Sequence, residues 1–431
     1  MTREILKIEK RPLPYWLIYA ILALPFLWGT LFSLLHLPSF LKYSADLAWV
    51  CLLCYMLFRK KIGIDKKVAP LLILVCLFFF YCLVLYLFRY QSVIYFLWGA
   101  RNNFRYYVFF FSIVMFLYEE DAERFFKIVD ALFWINAPCA IFQYFVFDHK
   151  QDYLGGIFGT EVGVNAMTII FFAIVLSRSL LRYMEQNEHL WQCALKCAVA
   201  LLLSALAELK FFFVFFLIIL VLSAVLTAFS WRKVLILSLC AGLVSAASTL
   251  LVMLFDFEDF LSLENIWKVA TQKYYSSAQT VNRLSAIPTL TQLLVKEFWD
   301  QLFGLGLGNC DTSSFAICNT PFFELHGYLR YSYFSVAFLF LEVGYLGLLI
   351  YTLFFIFCFV MIRKRLKAKL CNRHHGQVAL IMTVLAIILI FYNASLRAEA
   401  GYMVYFVLAL PFLSSKPYPK KLNTYSEESE D

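Results

Sequence analysis

PLLILVCLFFFYCLVLYLF, residues 70–88, runs for nineteen positions without a charge. As an α-helix this stretch would be about 28 Å long at ~1.5 Å per residue. That matches the ~30 Å of hydrocarbon that a helix must cross in a bilayer. FFFVFFLIILVLSAVLTAF, residues 211–229, repeats the pattern. Both runs are too long and too continuous for membrane barrel strands, which alternate over ~10 residues. The rest of the chain agrees: 62% of its 431 residues are hydrophobic and 15% charged, against roughly 45–50% and 25% in soluble domains. The expected class is an all-α polytopic membrane protein.

Reading outward from these runs, spans are expected near residues 15–35, 40–58, 70–88, 104–118, 128–147, 163–181, 192–207, 211–229, 234–255, 333–361, 378–394 and 402–415. Residues 15–35 lack a small-residue cleavage site and read as the first helix rather than a secretion signal. About twelve helices put the two chain ends on one side. The basic residues choose that side: with the N-terminus inside, 25 of the 37 Lys and Arg fall on inner segments, as the positive-inside rule requires. The formal charge of +8 is therefore loop placement and not a nucleic-acid surface. The expected organisation is a cytoplasmic N-terminus (1–14), nine spans (15–255), a large outer-face loop (256–332), three spans (333–415) and a cytoplasmic tail (416–431). The tail is acidic at residues 426–431 and reads as disordered.

Chemistry is expected where polarity interrupts the apolar pattern. The outer loop carries Arg283, the glycine run LFGLGLGN (302–309), Cys310, Cys318, Glu324, His326, Tyr328 and Arg330. The other cysteines fall in or beside spans, as small apolar residues do, or lie inside at Cys371. Cys310 and Cys318 alone face outward, where disulfides persist, and a bridge between them is expected. Twelve Lys and Arg are assigned to the outer side: Lys42, Arg89, Arg101, Arg105, Lys150, Lys210, Lys268, Lys273, Arg283, Lys296, Arg330 and Arg397. Several abut span ends, where a charge is costly unless something negative meets it. Arg101 and Arg105 are four apart and share one face of a helix, an arrangement that suits a phosphate or snorkelling at the interface. Glu208 and Lys210 are two apart and would not face each other on a helix, so each is expected to find a partner elsewhere. Arg397 and Glu399 read as a plain outer turn. Cys51-x-x-Cys54 has the spacing of a metal or redox pair but lies within a span without companion ligands. No second His or Cys stands at ligand spacing from His326, and no metal is expected. His326, or nearby Glu324, needs only reach and a suitable pKa to act as a general base. Tyr274, Tyr275, Tyr328, Tyr331 and Tyr333 can stack on sugars or anchor at the interface.

In order and spacing across residues 95–350 the chain resembles the O-antigen polymerase and O-antigen ligase superfamily of membrane glycosyltransferases. The resemblance rests on RNNFRYY (101–107), GIFGTEVGVNA (156–166), ALAELKFFF (205–213), a large outer loop with a central Arg, FGLGLGN (303–309) and LEVGYLGLL (341–349). The glycine run follows no strand of a βαβ unit, so it is no nucleotide loop. The resemblance implies a GT-C-like helical bundle in the bacterial inner membrane, its outer loop folded into short helices. It implies inverting transfer of glycans carried on undecaprenyl diphosphate, without cofactor or metal, alongside a flippase and chain-length regulator of the same pathway. Carried over, Arg101 and Arg105 would bind diphosphate, with Lys210, Glu208, Tyr328 and Arg330 as further substrate contacts. Arg283 would stabilise the leaving diphosphate, and His326 or Glu324 would deprotonate the acceptor. Ligases carry a His followed shortly by Asn close ahead of the Glu-x-Gly element. Here His326 precedes Gly327 and lies 16 residues before Glu342, which favours polymerase over ligase. A flippase or exporter is the competing class, and would line a path open to both sides.

Overall fold

The computed structural model describes residues 11–38, 41, 43–58, 68–161, 163–255, 271–272, 274, 280–313 and 315–414. Lys42, Lys268, Lys273, Tyr275 and the tail 416–431 lie outside the described residues. Apolar helices dominate: α1 (Leu13–Trp28), α2 (Ser44–Phe58), α3 (Ala69–Phe88), α4 (Val93–Phe116), α5 (Glu119–Val146), α6 (Asn165–Met184), α7 (Leu190–Leu206), α8 (Lys210–Leu226) and α9 (Trp231–Phe255). In the loop after α9 come three short helices, α10 (Ala286–Leu293), α11 (Phe298–Phe303) and α12 (Pro321–His326). The chain then returns to long elements, α13 (Ser335–Lys367), α14 (Arg373–Tyr392) and α15 (Ala400–Ala409). No strand occurs among the described residues beyond isolated bridges at Tyr118–Ser414 and Tyr274–Val281. Among the described residues six helices, α3, α5, α6, α9, α13 and α14, are long and apolar enough to cross a membrane, and five shorter apolar helices accompany them.

Burial separates the centre from the rim. In α6, 94% of the most apolar window is buried, in α3 and α9 only 22%. The exposed faces are apolar, with Ile73, Phe80, Leu87 and Phe88 each more than 60% exposed on α3 alone. Water would not tolerate a patch of that size on a monomer, whereas lipid requires it. Helix ends carry ordinary signals. α5 opens on Glu119, Glu120 and Asp121, with the Tyr118 backbone N–H donating to Asp121 Oδ2 at 3.0 Å. α13 closes on Lys364, Arg365 and Lys367. Each complements the helix dipole at its own end.

Cross-contacts sort the helix ends into two faces. Glu123 of α5 meets Arg178 of α6 and His375 of α14, and Arg365 donates to the Pro411 carbonyl. At the other end Arg89 of α3 meets Asp300, Ser335 donates to the Asn393 carbonyl, and α4 meets the turn before α15. Three elements differ from their expected form. α5 starts nine residues before its expected span. α4 starts eleven residues before the expected span, so Arg101 and Arg105 lie inside a helix instead of flanking its mouth. α13 is broken at Gly344, whose φ of +63° interrupts the helix.

Candidate functional site

The glycine run is a strap that fixes two helices. A Cβ on Gly308 would lie 1.9 Å from the Tyr95 carbonyl oxygen of α4, and one on Gly99 of α4 would lie 2.5 Å from the Gly308 nitrogen. At the strap's other end Gly304 and Gly344 each leave no room for a side chain against the opposing backbone. There the strap donates from Leu305 and Gly306 to the carbonyls of Leu341 and Glu342 at 2.8 and 2.9 Å, and Tyr81 donates to Phe303 and Val343. The strap therefore docks onto the interrupted helix and delivers Asp311 to the flank of α4. There the Asn102 amide donates to Asp311 Oδ2 at 2.6 Å.

A chain of charges runs from this point. Arg101 grips Asp46 of α2 through Nε and a terminal nitrogen at 2.9 and 2.5 Å. Its guanidinium lies over the Trp98 and Tyr43 rings at 4.8 and 5.4 Å. Arg105, almost wholly buried, lies 3.8 Å from both Asp46 and Glu399. It donates to the Tyr106 hydroxyl at 2.6 Å and the Arg397 carbonyl at 3.3 Å. Arg397 is 3.8 Å from Asp311, and its guanidinium sits 3.3 Å from the centre of the Phe338 ring. Glu342 is fully buried, with Asp311 and Arg397 as its charged neighbours. Arg101 and Arg105 do share a face, and what meets them is the chain's own carboxylates.

Arg283 lies one step away. Asn282 is buried beside it and accepts from the Arg283 backbone N–H at 2.8 Å. The guanidinium lies over Tyr392 at 4.8 Å and Phe334 at 5.7 Å. Phe334 is the extended residue just ahead of α13 and Phe338 lies in its first turn, where its backbone N–H donates to the Phe334 carbonyl at 3.0 Å. One ring carries Arg283 and the other Arg397, so both guanidiniums are met at the start of α13. Tyr392 also stacks on Phe211 at 3.9 Å, beside Lys210. Lys210 and Glu208 form an ion pair at 2.9 Å, contrary to the expectation that they would not meet. The helical spacing does not apply there: Glu208 has a φ of +55° in the break before α8, which turns its side chain back toward Lys210.

The remaining expected residues sit on the rim. His326 packs beside Phe322 at 4.9 Å, Glu324 and Tyr328 are exposed, and Arg330 lies over Tyr333 at 5.7 Å. None of their described contacts reaches the arginine cluster. The expected bridge between Cys310 and Cys318 is not formed, since both are free and buried thiols. Cys310 belongs to the apolar cluster beneath the loop with Val281, Leu290 and Tyr331, and its carbonyl accepts from the Tyr331 hydroxyl at 2.8 Å. Cys318 ends a separate one-turn helix at residues 316–318. Burial raises both thiols above their usual range, Cys310 far more. Among the described residues no group of His, Cys, Asp and Glu is disposed to hold a metal.

Sequence reasoning missed Asp46, Asp311, Arg397 and Glu399. One signal existed for Asp46: it is the sole acidic residue between positions 10 and 64, placed at a span end on the side to which the surplus arginines were assigned. Chemically, the site presents four guanidiniums on aromatic faces at one end of an apolar bundle. No protein-family model and no curated protein matches this chain.

Proposed function

We propose that the chain is a membrane glycosyltransferase of the polysaccharide-polymerase type, joining oligosaccharide repeats carried on undecaprenyl diphosphate into O-antigen, capsular or exopolysaccharide. In this reading twelve helices of a GT-C-like bundle cross the bacterial inner membrane, both termini are cytoplasmic, and the arginine end faces out. The observation that carries the reading is the convergence of Arg101, Arg105, Arg397 and Arg283 at that end, each guanidinium laid on an aromatic ring. Planar guanidiniums match the paired oxygens of a phosphate, and aromatic faces match sugar rings.

In the proposed reaction the acceptor hydroxyl attacks the anomeric carbon of the donor glycan with inversion. The anomeric C–O bond breaks and undecaprenyl diphosphate departs with the electron pair. Arg283 and Arg397 stabilise the charge gathering on the leaving oxygen, in a poorly hydrated site where fixed donors act most strongly. Arg101 and Arg105, held by Asp46, orient the diphosphate, and Tyr328, Arg330, Lys210 and Glu208 contribute to the glycan path. The acceptor proton passes to His326 or Glu324 on the rim. A one-sided site also fits the packing below it better than a transport path does: Tyr106, Tyr107, Tyr351 and Tyr405 are fully buried and fill the bundle beneath Arg105. The protein's pathway partners would be a lipid-glycan flippase and a chain-length regulator.

Polymerisation of a defined lipid-linked repeat by purified, reconstituted protein tests the reading. Arg283→Ala and Arg397→Ala are each expected to lower the rate by roughly 10²–10³-fold, the loss seen when one charge-stabilising donor is removed. Full activity in both variants would overturn the assignment, and translocation of the lipid-glycan without polymer would replace it with a transporter.

A further inference from the structure

At the opposite end of the bundle a cavity of about 430 Å³ opens between α5 and α7, its lining including Asp130, Trp134, Arg182, Glu188, Trp191 and Lys196. We infer that it is a binding site for the headgroup of a zwitterionic phospholipid bearing a primary ammonium, a phosphatidylethanolamine.

Depth is the first argument. α5 has 28 residues, about 42 Å at ~1.5 Å each, some 12 Å more than the hydrocarbon needs. Its first nine residues, from Glu119 to Lys127, hold six charges and account for that surplus. Asp130, three residues further, therefore lies just inside the boundary, at headgroup level. Trp134 and Trp191 stand at the lip, 40% and 63% exposed, where tryptophan is favoured at membrane interfaces.

Charge is the second. The lining holds two carboxylates and two cations, so the cavity is neutral and matches a headgroup that is itself neutral overall. Lys196 Nζ bridges Asp130 Oδ1 at 3.0 Å and Glu188 Oε1 at 3.1 Å. This bridge leaves the second Asp130 oxygen, on a side chain 36% exposed, to accept from a ligand ammonium. Arg182 Nε lies 4.0 Å from Glu188, too far for a hydrogen bond, and is buried without another hydrogen-bond partner. One terminal nitrogen of the guanidinium donates to the Asn187 carbonyl at 3.1 Å, and the other is the donor left for the phosphate. A quaternary ammonium could not donate to Asp130, and an anionic headgroup without an amine would leave it unmatched.

The test is lipid retention by native mass spectrometry after release of the full chain from nanodiscs made of equal parts phosphatidylethanolamine, phosphatidylcholine and phosphatidylglycerol. Wild type should retain the ethanolamine lipid about tenfold over the others, the worth of one charge-assisted hydrogen bond. Asp130→Asn and Arg182→Gln should bring that ratio to near unity. Trp191→Ala, on the lipid-exposed lip, should lower it without affecting folding, and keeps the test sound if a charge variant aggregates. Equal retention of all three lipids by wild type, or ratios unchanged in the variants, would overturn the inference. Binding of soluble phosphoethanolamine as tight as that of the lipid would overturn the lipid assignment. The site lies apart from the arginine cluster, and polymerisation can fail or succeed independently of it.

Discussion

The two ends of the bundle are both rich in charge, yet they are built differently. At the end bearing His375, basic side chains and carboxylates meet at short range: Glu123 with Arg178 and His375 at 3.0 and 2.9 Å, and Glu185 with Arg373 and His374 at 3.1 and 3.2 Å. Lysine, arginine and histidine all take part, and the partners cap helix ends. At the Arg101 end four arginines lie on aromatic rings, whereas in the first group Arg178 alone does so, on Phe126 at 4.6 Å. Carboxylate contacts at the Arg101 end mix the short Arg101–Asp46 pair at 2.5 Å with long ones of 3.8 Å at Arg105 and Arg397, and a loop crosses the site to supply Asp311. The first arrangement fastens neighbouring helices. The second, if the proposed function holds, keeps guanidinium edges near carboxylates that an anionic substrate would displace, and it depends on a glycine strap that must fit without tolerance.

The sharpest way to break this comparison is at a glycine. Gly308→Val places a side chain where the Tyr95 carbonyl already stands, at a φ of +86° that valine avoids. A loss of at least about 3 kcal/mol is expected, read as a collapse in yield of monodisperse protein and in melting temperature. Gly242 of α9 has open space around its Cβ position, and Gly242→Ala should be neutral or stabilising by under about 1 kcal/mol. Equal tolerance at the two positions would show that the strap does not hold α4 to α13.

A smaller contrast sets Asp46 against Asp130. Removing Asp46 by Asp46→Ala takes from Arg101 its carboxylate and leaves Arg105 with Glu399 alone, both in partly desolvated surroundings, and should cost about 3 kcal/mol. In Asp130→Ala the neighbouring Lys196 retains Glu188, and Asp130 is more exposed, so the loss should stay under about 1 kcal/mol. Thermal unfolding of the two variants in the same detergent measures the difference. A larger loss at Asp130 would reverse the roles assigned to the two ends.

The class of fold was readable because lipid imposes one rule on long segments, and runs such as residues 70–88 obey it without exception. α4 was cut short in that reading because Arg101, Asn102, Asn103 and Arg105 make its first half look like a loop. What allows them to be helical is Asp46, Asp311 and Glu399, contributed by three other parts of the chain. Such partners are set by tertiary approach, and spacing along one element cannot reveal them. Arg397 was hidden in the same way, since its ring partner Phe338 lies 59 positions away. The glycines were visible as a motif, but their purpose depends on Gly99 and Gly344, which belong to two other helices. Glu208 and Lys210 were judged by helical geometry at a place where the backbone is not helical.

The mildest test concerns the two thiols of the long loop, Cys310 and Cys318. The thiolate is the reactive form, so a thiol whose pKa is raised ionises less at a given pH and is modified more slowly. Burial raises Cys310 well above the usual range and Cys318 to a lesser degree. Maleimide labelling of the folded protein should therefore be slowest at Cys310. Between pH 7 and 9, labelling of the unfolded chain should accelerate while Cys310 in the folded chain stays slow, because its proton is lost only at higher pH. Cys371, at the other end, is half-buried, and Arg365 opposes the upward shift that burial gives it, so it should react ahead of Cys310. After unfolding without reductant, both Cys310 and Cys318 should label fully. If they label only once a reductant is added, the two residues are bridged, and the loop is closed covalently rather than held by Tyr331 and the apolar cluster beneath it.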